Sequence, residues 1–536
     1  EYDILPVYKV VDTCAAEFEA VSPYYYSSYG CEDEANTSSK GKVVIIGSGP
    51  IRIGQGIEFD YCSVHCIWAL KKLGYKAIII NNNPETVSTD FDISDRLYFE
   101  PLTPEHVLNV LDKEEPDGVM VQFGGQSAIK LVKSIHEAGY RILGTQPEYI
   151  DIAEDREKFD TLLGQLGIPR PEGDTAFSVD EAVDIAERLG YPVLVRPSYV
   201  LGGQGMEIAY TRKDVVEYMS IINRIEQEHP VLIDKYVKGC EIEVDAVCDG
   251  QDILIPGIMK HIERAGIHSG DSISVYPAMN ISDHIVRRIV DYTARLALAL
   301  KIKGLINIQF IEHNGELYVI EVNPRSSRTV PFISKVTGIP MVELATRTML
   351  GYRLRDMSYG IGLRPSKGIV AVKVPIFSFD KLPMLEVSLG PEMKSTGEVM
   401  GVADNLSGAL FKGLTAAGYS FHERGTVLIT VADIYKNEAV AIAKELNDLG
   451  FDVLATEGTA KVLSKNGIKV KVVGKLSQSS HDVSCNIHDV IKNRSVDLII
   501  NIPTHGRIPE RDGFKMRRMA VENSIPCITS LDTARA

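Results

Sequence analysis

The sequence predicts a multidomain chain, with α/β domains towards both ends and an α+β domain between them. At 536 residues, the chain can form about three or four domains with separate hydrophobic cores. Apolar runs of strand length alternate with helical segments over residues 41–149 and again from residue 425, which is typical of parallel α/β sheets. Between these regions, strands follow one another through glycine-rich turns, and this pattern indicates a mixed α+β domain.

Composition and charge exclude several classes of protein. Hydrophobic residues make up 45% of the chain and charged residues 24%, which is ordinary for a folded globular protein. A net charge of −15 argues against a general nucleic-acid binder, so any anion site must be built locally. No apolar run approaches the length of a membrane span, and the eight cysteines are scattered as in a reducing compartment. We therefore expect a cytoplasmic protein with neither a membrane nor a nucleic-acid partner.

The first forty residues do not follow the α/β pattern. Residues 1–30 are rich in aromatic side chains and irregular, and residues 31–40 are typical of a polar linker. The chain begins with Glu1 rather than Met and shows no signal-peptide pattern, so we expect it to be a piece of a longer one.

A βαβ unit predicts the first α/β domain. A buried strand at residues 43–46 enters a turn with the sequence GSGP, and a helix over about residues 62–73 leads to a strand at 77–80. Glycines after a strand are a weak nucleotide signal, and three asparagines stand at residues 81–83 where an acidic ribose ligand is expected. A support domain without a nucleotide and a cofactor site both remain open.

The middle region contains a candidate phosphate-binding loop. A predicted strand at residues 193–197 leads into the run SYVLGGQG, whose glycines allow backbone N–H groups to approach phosphate oxygens. Arg196 would supply positive charge there, and a plain hairpin turn is the alternative. A further strand at residues 231–237 could present backbone groups to an adenine ring.

Three carboxylates follow that strand at alternate positions, as Glu241, Glu243 and Asp245. Alternate residues of a strand share a face, so one face could hold a ribose hydroxyl. The competing interpretation is a solvated face with no ligand.

A β-hairpin is the most informative feature of the sequence. Two strands, at residues 307–311 and 318–325, flank an Asn-Gly pair at residues 314–315. Asn-Gly supplies the positive φ angles of a tight turn, which folds Gln309 back towards Glu321.

The hairpin predicts a metal site on one face. Side chains alternate along a strand, so Glu321, Asn323 and Arg325 are expected to point the same way. Together with Gln309, they would place a carboxylate and two amide oxygens beside an arginine, and Mg²⁺ prefers such oxygen ligands. The alternative is an amphipathic hairpin with a polar outer face.

The last region again alternates strands and helices. Predicted strands lie at residues 427–431, 451–455, 469–473 and 497–501, with a helix over residues 438–449. Threonines, a glycine and lysines stand at the strand ends, where open α/β sheets bind anionic ligands. A phosphate-bearing effector is one interpretation, and ordinary loop chemistry is the other.

Four runs of sequence are similar to those of a known family: GPIRIGQG at residues 49–56, RPSYVLGG at 196–203, HSGDS at 268–272 and EVNPRSSR at 321–328. Along essentially its whole length the chain resembles the C-terminal half of the large subunit of carbamoyl phosphate synthetase. The resemblance implies an ATP-grasp domain, preceded by a Rossmann-like pre-ATP-grasp domain and followed by a methylglyoxal-synthase-like allosteric domain. It implies phosphorylation of carbamate with ATP and Mg²⁺ or Mn²⁺, the second ATP-using step of carbamoyl phosphate synthesis for pyrimidines and arginine.

The resemblance also implies domain boundaries. These are an oligomerisation-domain tail at residues 1–30, a linker at 31–40, the pre-ATP-grasp domain at 41–149, the ATP-grasp domain at 150–390, a connecting segment at 391–424 and the allosteric domain at 425–536. The implied partners are the N-terminal, bicarbonate-phosphorylating half of the large subunit, a glutaminase small subunit and a nucleotide-monophosphate effector. The assembly is expected to be a homo-oligomer of the heterodimer.

Site residues carry over from the family to matching positions. Gln309, Glu321 and Asn323 resemble the metal ligands, and Arg325 and Arg328, with Asn323, resemble the residues that act on the carbamate and its phosphorylated product. The ATP-contacting set also includes Gln309 and Glu321, and its other members are Arg156, Arg196, Gly202, Gly203, Lys235, Val237, Glu241, Gly266, Ile267, His268 and Ser269. The effector pocket consists of Lys436, Thr456, Thr459, Lys475 and Asn501.

Other functions compete with this interpretation. The last domain resembles methylglyoxal synthase, but that enzyme places a catalytic aspartate after two glycines, where this chain has the run VGKLS at residues 473–477. Another ATP-grasp ligase that makes an acyl phosphate, and a non-catalytic regulatory or assembly fragment, are the remaining alternatives.

The resemblance also implies that ornithine does not activate this enzyme. Ornithine-responsive members of the family use three carboxylates, of which Glu263 and Asp271 have counterparts here. Our alignment places Val374, next to Lys373, at the third acidic position.

Overall fold

The chain divides into two units, each of which combines segments that are far apart in sequence. One unit consists of Glu1–Arg170, Ile242–Lys260 and Tyr276–Gly368, and the other of Pro171–Glu241, His261–Val275 and Ile369–Ala536. The computed structural model describes residues 4–15, 17–18, 22–37, 40–197, 203–225, 230–383, 385–476, 486–503 and 512–536, without the side chains of residues 223–225. Gly202, an expected ATP contact, lies outside the described residues.

The first unit opens with an α/β sheet that resembles the predicted βαβ pattern. Its strands are β1 (Val7–Val10), β2 (Tyr24–Ser28), β3 (Lys42–Ile46), β4 (Lys76–Ile80), β5 (Arg96–Tyr98) and β6 (Gly118–Met120). The helices of this part are α1 (Gly56–Lys72), α2 (Pro104–Glu114), α3 (Gly125–Ile129), α4 (Val132–Glu137), α5 (Pro147–Glu154) and α6 (Arg156–Leu166). The strand order is β1-β2-β5-β4-β3-β6, and all neighbours are parallel except β1 and β2.

Residues 1–30 are more regular than the sequence predicts. Strands β1 and β2 pair with each other, and β2 pairs with β5. Tyr8 packs edge-on against Tyr98, with ring centroids 5.0 Å apart, and Tyr25 stacks on the same ring at 5.4 Å. Aromatic residues favour strands when they pack on a neighbouring strand, and this packing explains why an aromatic-rich segment joins the sheet.

The second unit begins with a small antiparallel sheet. Its elements are β7 (Gly173–Ala176), α7 (Val179–Leu189), β8 (Val193–Pro197), β9 (Glu207–Ala209), α8 (Arg212–Ile225) and β10 (Val231–Lys235). The strand order is β7-β10-β8-β9. Strand β10 ends at Lys235, two residues earlier than predicted, so Val237 follows the strand.

A long-stranded β region and three helices come next along the chain. They are β11 (Cys240–Asp249), β12 (Ile253–Ile255), β13 (Met259–Arg264), β14 (Ser274–Tyr276), α9 (Asp283–Ala299), β15 (Lys303–His313), β16 (Glu316–Asn323), α10 (Val330–Thr337), α11 (Met341–Met349) and β17 (Gly362–Leu363). Strands β16, β15 and β11 are neighbours in that order, and β12 pairs with both β11 and β17. Helix α9 packs its apolar face into the core of this region.

The predicted hairpin is formed by β15 and β16. Asn314 and Gly315 have φ angles of 53° and 81°, as the two central residues of a type I′ turn require. The strands are longer than predicted on the turn side, but β16 ends at Asn323. Pro324 follows and cannot donate a backbone hydrogen bond to a sheet. The expectation that Arg325 lies on the strand is therefore wrong.

The rest of the second unit contains a β-hairpin and a second α/β sheet. Its elements are β18 (Val370–Ile376), β19 (Gly397–Ala403), α12 (Leu406–Ala416), β20 (Thr426–Val431), α13 (Lys436–Asp448), β21 (Asp452–Thr456), α14 (Glu457–Lys465), β22 (Val470–Val473), α15 (Ile487–Lys492), β23 (Leu498–Ile502), α16 (Asp512–Glu522), β24 (Cys527–Ile528) and α17 (Leu531–Arg535). The last five strands form a parallel sheet in the order β22-β21-β20-β23-β24. Helices pack on both of its faces. Among the described residues, no helix is both long and apolar enough to cross a membrane.

Candidate active site

The hairpin brings the expected metal ligands together. Gln309 and Glu321 are direct partners in the register of β15 and β16, with a bulge immediately after Gln309. The Asn323 side chain donates from Nδ2 to Oε1 of Glu321 at 2.8 Å. Glu321 is exposed, whereas Gln309 and Asn323 are half-buried. One carboxylate and two amides therefore lie side by side at the end of the hairpin.

This donor set fits a hard divalent cation. Mg²⁺ prefers oxygen ligands and usually takes only one or two protein carboxylates, completing its shell with water and substrate phosphates. Glu321 offers the carboxylate, and Gln309 and Asn323 each offer an amide oxygen. In the described part of the chain, no group of three or more His, Cys, Asp or Glu side chains is placed to hold a metal ion.

Arg325 lies against these ligands although it is beyond the strand. Its Nη2 donates to Oδ1 of Asn323 at 2.9 Å, and its Nε donates to Oε1 of Gln126 at 3.2 Å. The guanidinium carbon lies 5.8 Å from the centre of the Phe59 ring. Burial lowers the pKa of Arg325, while the charge of Glu321 opposes this effect. The arginine is thus held from three sides next to an exposed carboxylate.

The other two expected site arginines of the first unit, Arg156 and Arg328, occupy separate positions. The Nη2 atom of Arg328 lies 3.6 Å from Oε1 of Glu58, and both side chains are largely buried. Arg156 begins α6, with its Nε 3.7 Å from Asp160. Glu58 stands in the first turn of α1, two residues after the glycine-rich run at residues 49–56. The start of α1 therefore supplies a carboxylate to an expected substrate-binding arginine.

The turn after β3 is filled by protein side chains. Oδ1 of Asn81 accepts a hydrogen bond from the backbone N–H of Gly49 at 3.0 Å. A β-carbon placed on Gly47 would lie 2.7 Å from the Asn81 side chain. Both observations favour the interpretation of this region as a support domain rather than a second nucleotide site.

Two carboxylates of β11 are buried, so the alternative interpretation of a solvated face is wrong for Glu243 and Asp245. Glu243 is 4% exposed and Asp245 is 1% exposed. Both accept hydrogen bonds from Nδ2 of Asn307, at 2.8 Å and 3.1 Å. Burial, followed by the charge of Glu243, raises the pKa of Asp245 to about 7. Asn307, two residues before Gln309, was not among the predicted site residues.

In the second unit, the expected nucleotide-binding cations lie on β8 and β10. Nη1 of Arg196 lies 3.6 Å from Asp234, and Nζ of Lys235 donates to the backbone oxygen of Gly190 at 2.7 Å. Gly203 has a φ of +68°, and a β-carbon there would lie 2.2 Å from the backbone oxygen of Pro391. Only glycine fits that position.

The segment after β13 carries the remaining ATP-contacting candidates: Gly266, Ile267, His268 and Ser269. Glu241 binds this segment through Oε1, which accepts from the backbone N–H of Gly266 at 3.3 Å, and its Oε2 lies 3.3 Å from Nδ1 of His261. The backbone N–H of His268 donates to the oxygen of Gly390 at 2.8 Å. The segment is therefore fixed through both backbone and side chains.

The expected effector residues lie at the carboxyl edge of the last sheet. Thr456 ends β21, Asn501 is near the end of β23, and Lys475 follows β22. Thr459 is in the first turn of α14, and Lys436 begins α13. The carboxyl ends of parallel strands meet at one edge of a sheet, which is where open α/β sheets bind ligands.

Three contacts near the effector residues were not predicted. Arg517, which is 4% exposed, donates from Nη1 to Oδ1 of Asn501 and from Nε to Oε1 of Glu386, the latter at 2.8 Å. Nζ of Lys436 lies 2.6 Å from Asp433. The only sequence signal for Arg517 is its position on the apolar face of α16, beside Met516 and Ala520.

Family models match three consecutive parts of the chain. The carbamoyl phosphate synthase preATP-grasp domain matches residues 39–152, and the carbamoyl-phosphate synthase L chain ATP binding domain matches residues 155–357. An MGS-like domain matches residues 438–529. The three domain types that the sequence analysis expected are confirmed.

Curated relatives match the chain over almost all of its length. A carbamoyl phosphate synthase large chain from Clostridium botulinum (strain Kyoto / Type A2) is 59% identical over 534 residues, which is 99% of this chain and 50% of the relative. The corresponding large chain from Lachnoclostridium phytofermentans is 57% identical, covering 100% of this chain and 50% of the relative. The chain therefore spans about half the length of the relatives that it matches.

Solved structures share the fold at low sequence identity. Biotin carboxylase from Campylobacter jejuni has a TM-score of 0.55 at 17% identity, covering 70% of this chain and 90% of that one. The biotin carboxylase domain of Hydrogenobacter thermophilus 2-oxoglutarate carboxylase, solved with MgADP and bicarbonate, has a TM-score of 0.52 at 20% identity and covers 64% of this chain and 76% of that one. These likenesses show that the chain shares its fold with biotin carboxylases.

Proposed function

We propose, from the premise that the chain belongs to the family of carbamoyl phosphate synthase large chains, that it phosphorylates carbamate to carbamoyl phosphate with ATP. We assign it to the C-terminal half of the large chain, which performs the second ATP-using step in the supply of pyrimidines and arginine. Two features support this assignment: the chain spans half the length of its relatives, and an MGS-like domain follows the ATP-binding domain.

The observation that carries the proposal is the convergence of oxygen ligands and an arginine at the end of the hairpin. Glu321 and Asn323 are joined by a hydrogen bond of 2.8 Å, and Asn323 in turn accepts one from Arg325 at 2.9 Å. Phosphoryl transfer needs cations that neutralise the phosphates and donors that position the acceptor in line. At the end of the hairpin, candidate metal ligands and an arginine donor lie within a few ångströms of one another.

One group of residues would act on the nucleotide and another on the acceptor. When bound to Gln309, Glu321 and Asn323, Mg²⁺, or Mn²⁺ with similar ligand preferences, would neutralise charge on the ATP phosphates. Arg325 and Arg328 would hold the carbamate anion, since a guanidinium matches a planar carboxylate with two parallel N–H donors. Glu58 and Gln126 hold these arginines in fixed orientations.

The second unit would supply the adenosine and phosphate contacts. Arg196 and Lys235 place positive charge on neighbouring antiparallel strands, and the fixed segment of residues 266–269 offers backbone groups to the nucleotide. Exclusion of water would protect carbamate, which decomposes in water, during transfer.

The reverse reaction tests the proposal directly. The purified chain is expected to make ATP from ADP and carbamoyl phosphate in the presence of Mg²⁺, measured by coupled ATP detection. The same chain should not form ADP from ATP when carboxylate substrates of other ATP-grasp ligases are added.

The alternatives predict different results. Carboxylate-dependent ADP formation would favour another ATP-grasp ligase, and a folded chain that binds MgADP without making ATP would favour a non-catalytic fragment. Replacement of Lys72, an exposed surface residue, by glutamine is a control that should leave ATP formation unchanged.

The MGS-like domain supports a second, regulatory function. We propose that a nucleotide monophosphate, such as UMP or IMP, binds Lys436, Thr456, Thr459, Lys475 and Asn501. Thr456, Thr459 and Asn501 are buried at the carboxyl edge of the sheet, so their polar groups face the interior of that edge rather than bulk water. Lysines at the same edge would neutralise a phosphate.

The remaining proposals concern assembly, boundaries and location. We propose that the chain works in the cytoplasm with the N-terminal half of a large chain and a glutaminase small subunit, as a homo-oligomer of the heterodimer. We also propose the domain limits given above, and the family-model matches that begin at residues 39 and 155 support the limits at residues 41 and 150.

A further inference from the structure

The chain forms a tight turn at residues 268–271, in the segment that carries expected nucleotide contacts. The backbone N–H of Asp271 donates to the oxygen of His268 at 2.8 Å and closes the turn. Gly270 and Asp271 are buried, whereas His268 is half-buried. The histidine ring is therefore attached to a compact backbone structure.

Neighbouring elements of the second unit hold this turn in place. Nζ of Lys373, a lysine that is 1% exposed, donates to the backbone oxygen of Ser269 at 3.3 Å. Oγ of Ser395 donates to the backbone oxygen of Gly270 at 3.0 Å. The carboxylate of Asp271 accepts from two backbone N–H groups of the segment that contains Ser395. The turn is thus bonded both to β18 and to the segment before β19.

The turn determines which ring nitrogen of His268 carries the proton. The backbone N–H of Gly270 donates to Nδ1 of His268 at 3.0 Å. A backbone N–H can only donate, so Nδ1 is the acceptor and carries no proton. In a neutral imidazole one nitrogen accepts and the other donates, so the proton of His268 is on Nε2.

The same contact sets the direction and the charge of the ring. Because Nδ1 faces back into the turn, the N–H of Nε2, on the other side of the ring, points away from it. A second proton, on Nδ1, would meet the N–H of Gly270 and break this hydrogen bond. The charged side chains at the turn are bonded elsewhere: the Lys373 ammonium lies 3.8 Å from Glu398, and Asp271 accepts from backbone N–H groups. The turn therefore favours a neutral ring.

We propose that Gly270 is a positioning residue whose N–H holds His268 in the Nε2–H tautomer, so that the ring presents a neutral N–H donor to a phosphate oxygen of the nucleotide. A protonated nitrogen has no lone pair for a metal ion, so the ring would serve the oxygens of the nucleotide rather than its cation. This inference rests on the proposed function, since it assumes that His268 contacts the bound nucleotide.

Two substitutions of His268 separate this role from others. The amide of glutamine reaches the position of Nε2, whereas the shorter asparagine reaches only that of Nδ1 and can accept from the N–H of Gly270, as in an Asx turn. Calorimetry measures the affinity for ADP in the presence of Mg²⁺. We expect His268→Gln to stay within about threefold of the wild type and His268→Asn to bind at least about tenfold more weakly, because it loses a hydrogen bond to a charged group.

Other roles predict a different order of affinities. A merely structural role predicts that His268→Asn binds ADP better than His268→Gln, because asparagine can still close the turn. A cationic role predicts an equally large loss in both variants, and no role predicts no loss in either. Any of these results, in variants that melt like the wild type, would overturn the inference alone. His284→Asn, which changes an exposed histidine of α9, is the control and should leave the affinity unchanged.

Nuclear magnetic resonance measures the tautomer of the wild type directly. Long-range proton–nitrogen correlation spectra of the full chain, with isotopically labelled histidines, distinguish protonated from unprotonated ring nitrogens. At about pH 8, where imidazoles are neutral, we expect an unprotonated Nδ1 and a protonated Nε2 for His268, and tautomer-averaged signals for His284. The signals of His268 are those that the His268→Asn variant lacks.

The outcomes for the inference and for the proposed function can be told apart. Averaged signals for His268, or a proton on its Nδ1, would overturn the inference and leave the proposed function untouched. Absence of ADP binding by the folded wild type, in the presence of Mg²⁺, would overturn both.

Discussion

Glu321 contributes the single negative charge among the expected metal ligands. The Glu321→Gln substitution keeps the size of the side chain and removes that charge, so we expect at least about a 10²-fold loss of turnover, as with other losses of transition-state electrostatics. The measurement is ATP formation from ADP and carbamoyl phosphate, with the melting temperature as a check on folding. Near-normal ATP formation by the folded variant would contradict the assignment.

Ornithine should not activate this chain, because one of the three carboxylates expected to bind it is missing and the other two already accept hydrogen bonds within the protein. Glu263 accepts from Oγ1 of Thr533 at 2.7 Å, and Asp271 accepts from backbone N–H groups. The third expected position, Val374, is a buried apolar residue. A missing charge-assisted hydrogen bond is worth roughly 1.5–3 kcal/mol, or about a ten- to hundredfold loss of affinity.

Titration of ornithine into the assay of ATP formation measures this effect. A nucleotide monophosphate added to the same preparation shows whether the enzyme can respond to an effector at all. Clear activation at sub-millimolar ornithine would show that the alignment of Val374 is wrong.

Single residues of the site could be predicted where a local pattern places them, but not where burial decides their role. The Asn-Gly turn fixes the register of the hairpin as far as Phe310 and Val319, but that register alone would place Gln309 opposite Ile320. The bulge after Gln309, which the sequence did not predict, brings it opposite Glu321. The alternation of Glu243 and Asp245 shows that they share a face, but not whether that face is solvated. Their partner Asn307 is more than sixty residues away, and only the folded sheet brings it near.

At the scale of elements, the turn between β15 and β16 should be sensitive to side-chain shape. Gly315 has a φ of +81° and a β-carbon there would meet no other atom within 4 Å. The Gly315→Val variant should therefore act through backbone conformation alone. We expect it to lower the free energy of unfolding by about 1–2 kcal/mol. Chemical denaturation of the full chain measures the loss.

Gly164 in α6 provides the matched comparison. It also has open space around it but lies within a helix at negative φ. The Gly164→Ala variant should be neutral or stabilising by about 0.5–1 kcal/mol. Equal effects at the two positions would mean that the turn does not require positive φ.

Elements were predictable where periodicity is strong and less so at their ends. Helix α1 begins at Gly56, six residues before its predicted start, because Glu58 and Asp60 interrupt the apolar pattern of its first two turns. Strands β1 and β2 have little alternation of their own and depend on Tyr98 for packing. Such contacts lie outside any local window of sequence.

At the scale of the whole molecule, nucleotide monophosphates should bind and shift activity at a distance. Calorimetry with UMP and IMP on the full chain measures binding, and we expect at least one of them to bind with a coupling to ATP formation of about 1–3 kcal/mol. Lys436→Gln, at the start of α13, should weaken binding of the nucleotide. Lys465→Gln, at the C-terminal end of α14, serves as a control. Failure of both nucleotides to bind the folded chain would contradict the proposal.

Arg264 is positioned to carry that coupling. Its Nε and Nη2 atoms bind Asp532 at 2.7 Å, and its Nη2 also donates to Glu438 at 2.9 Å. Glu438 is two residues from Lys436, and Arg264 is two residues from Gly266. The arginine therefore joins the expected effector residues to the expected nucleotide segment within the second unit.

The Arg264→Gln variant should still bind the effector but transmit less of its effect. We expect the change in ATP formation caused by the nucleotide to fall several-fold, because coupling requires a contact that responds to both ligands. Arg188→Gln removes an exposed ion pair with Asp174 and should leave the coupling intact. An unaltered response to the nucleotide in the Arg264→Gln variant would show that Arg264 does not transmit the coupling.

The interleaved segments of the two units have a consequence for synthesis on the ribosome. The chain passes from one unit to the other after Arg170, Glu241, Lys260, Val275 and Gly368. Domains usually fold as their residues emerge, but here the first unit lacks part of its sheet until residue 368 has been made. Nascent chains of intermediate length would therefore expose unfinished sheet edges, and these intermediates are where we expect chaperones to bind.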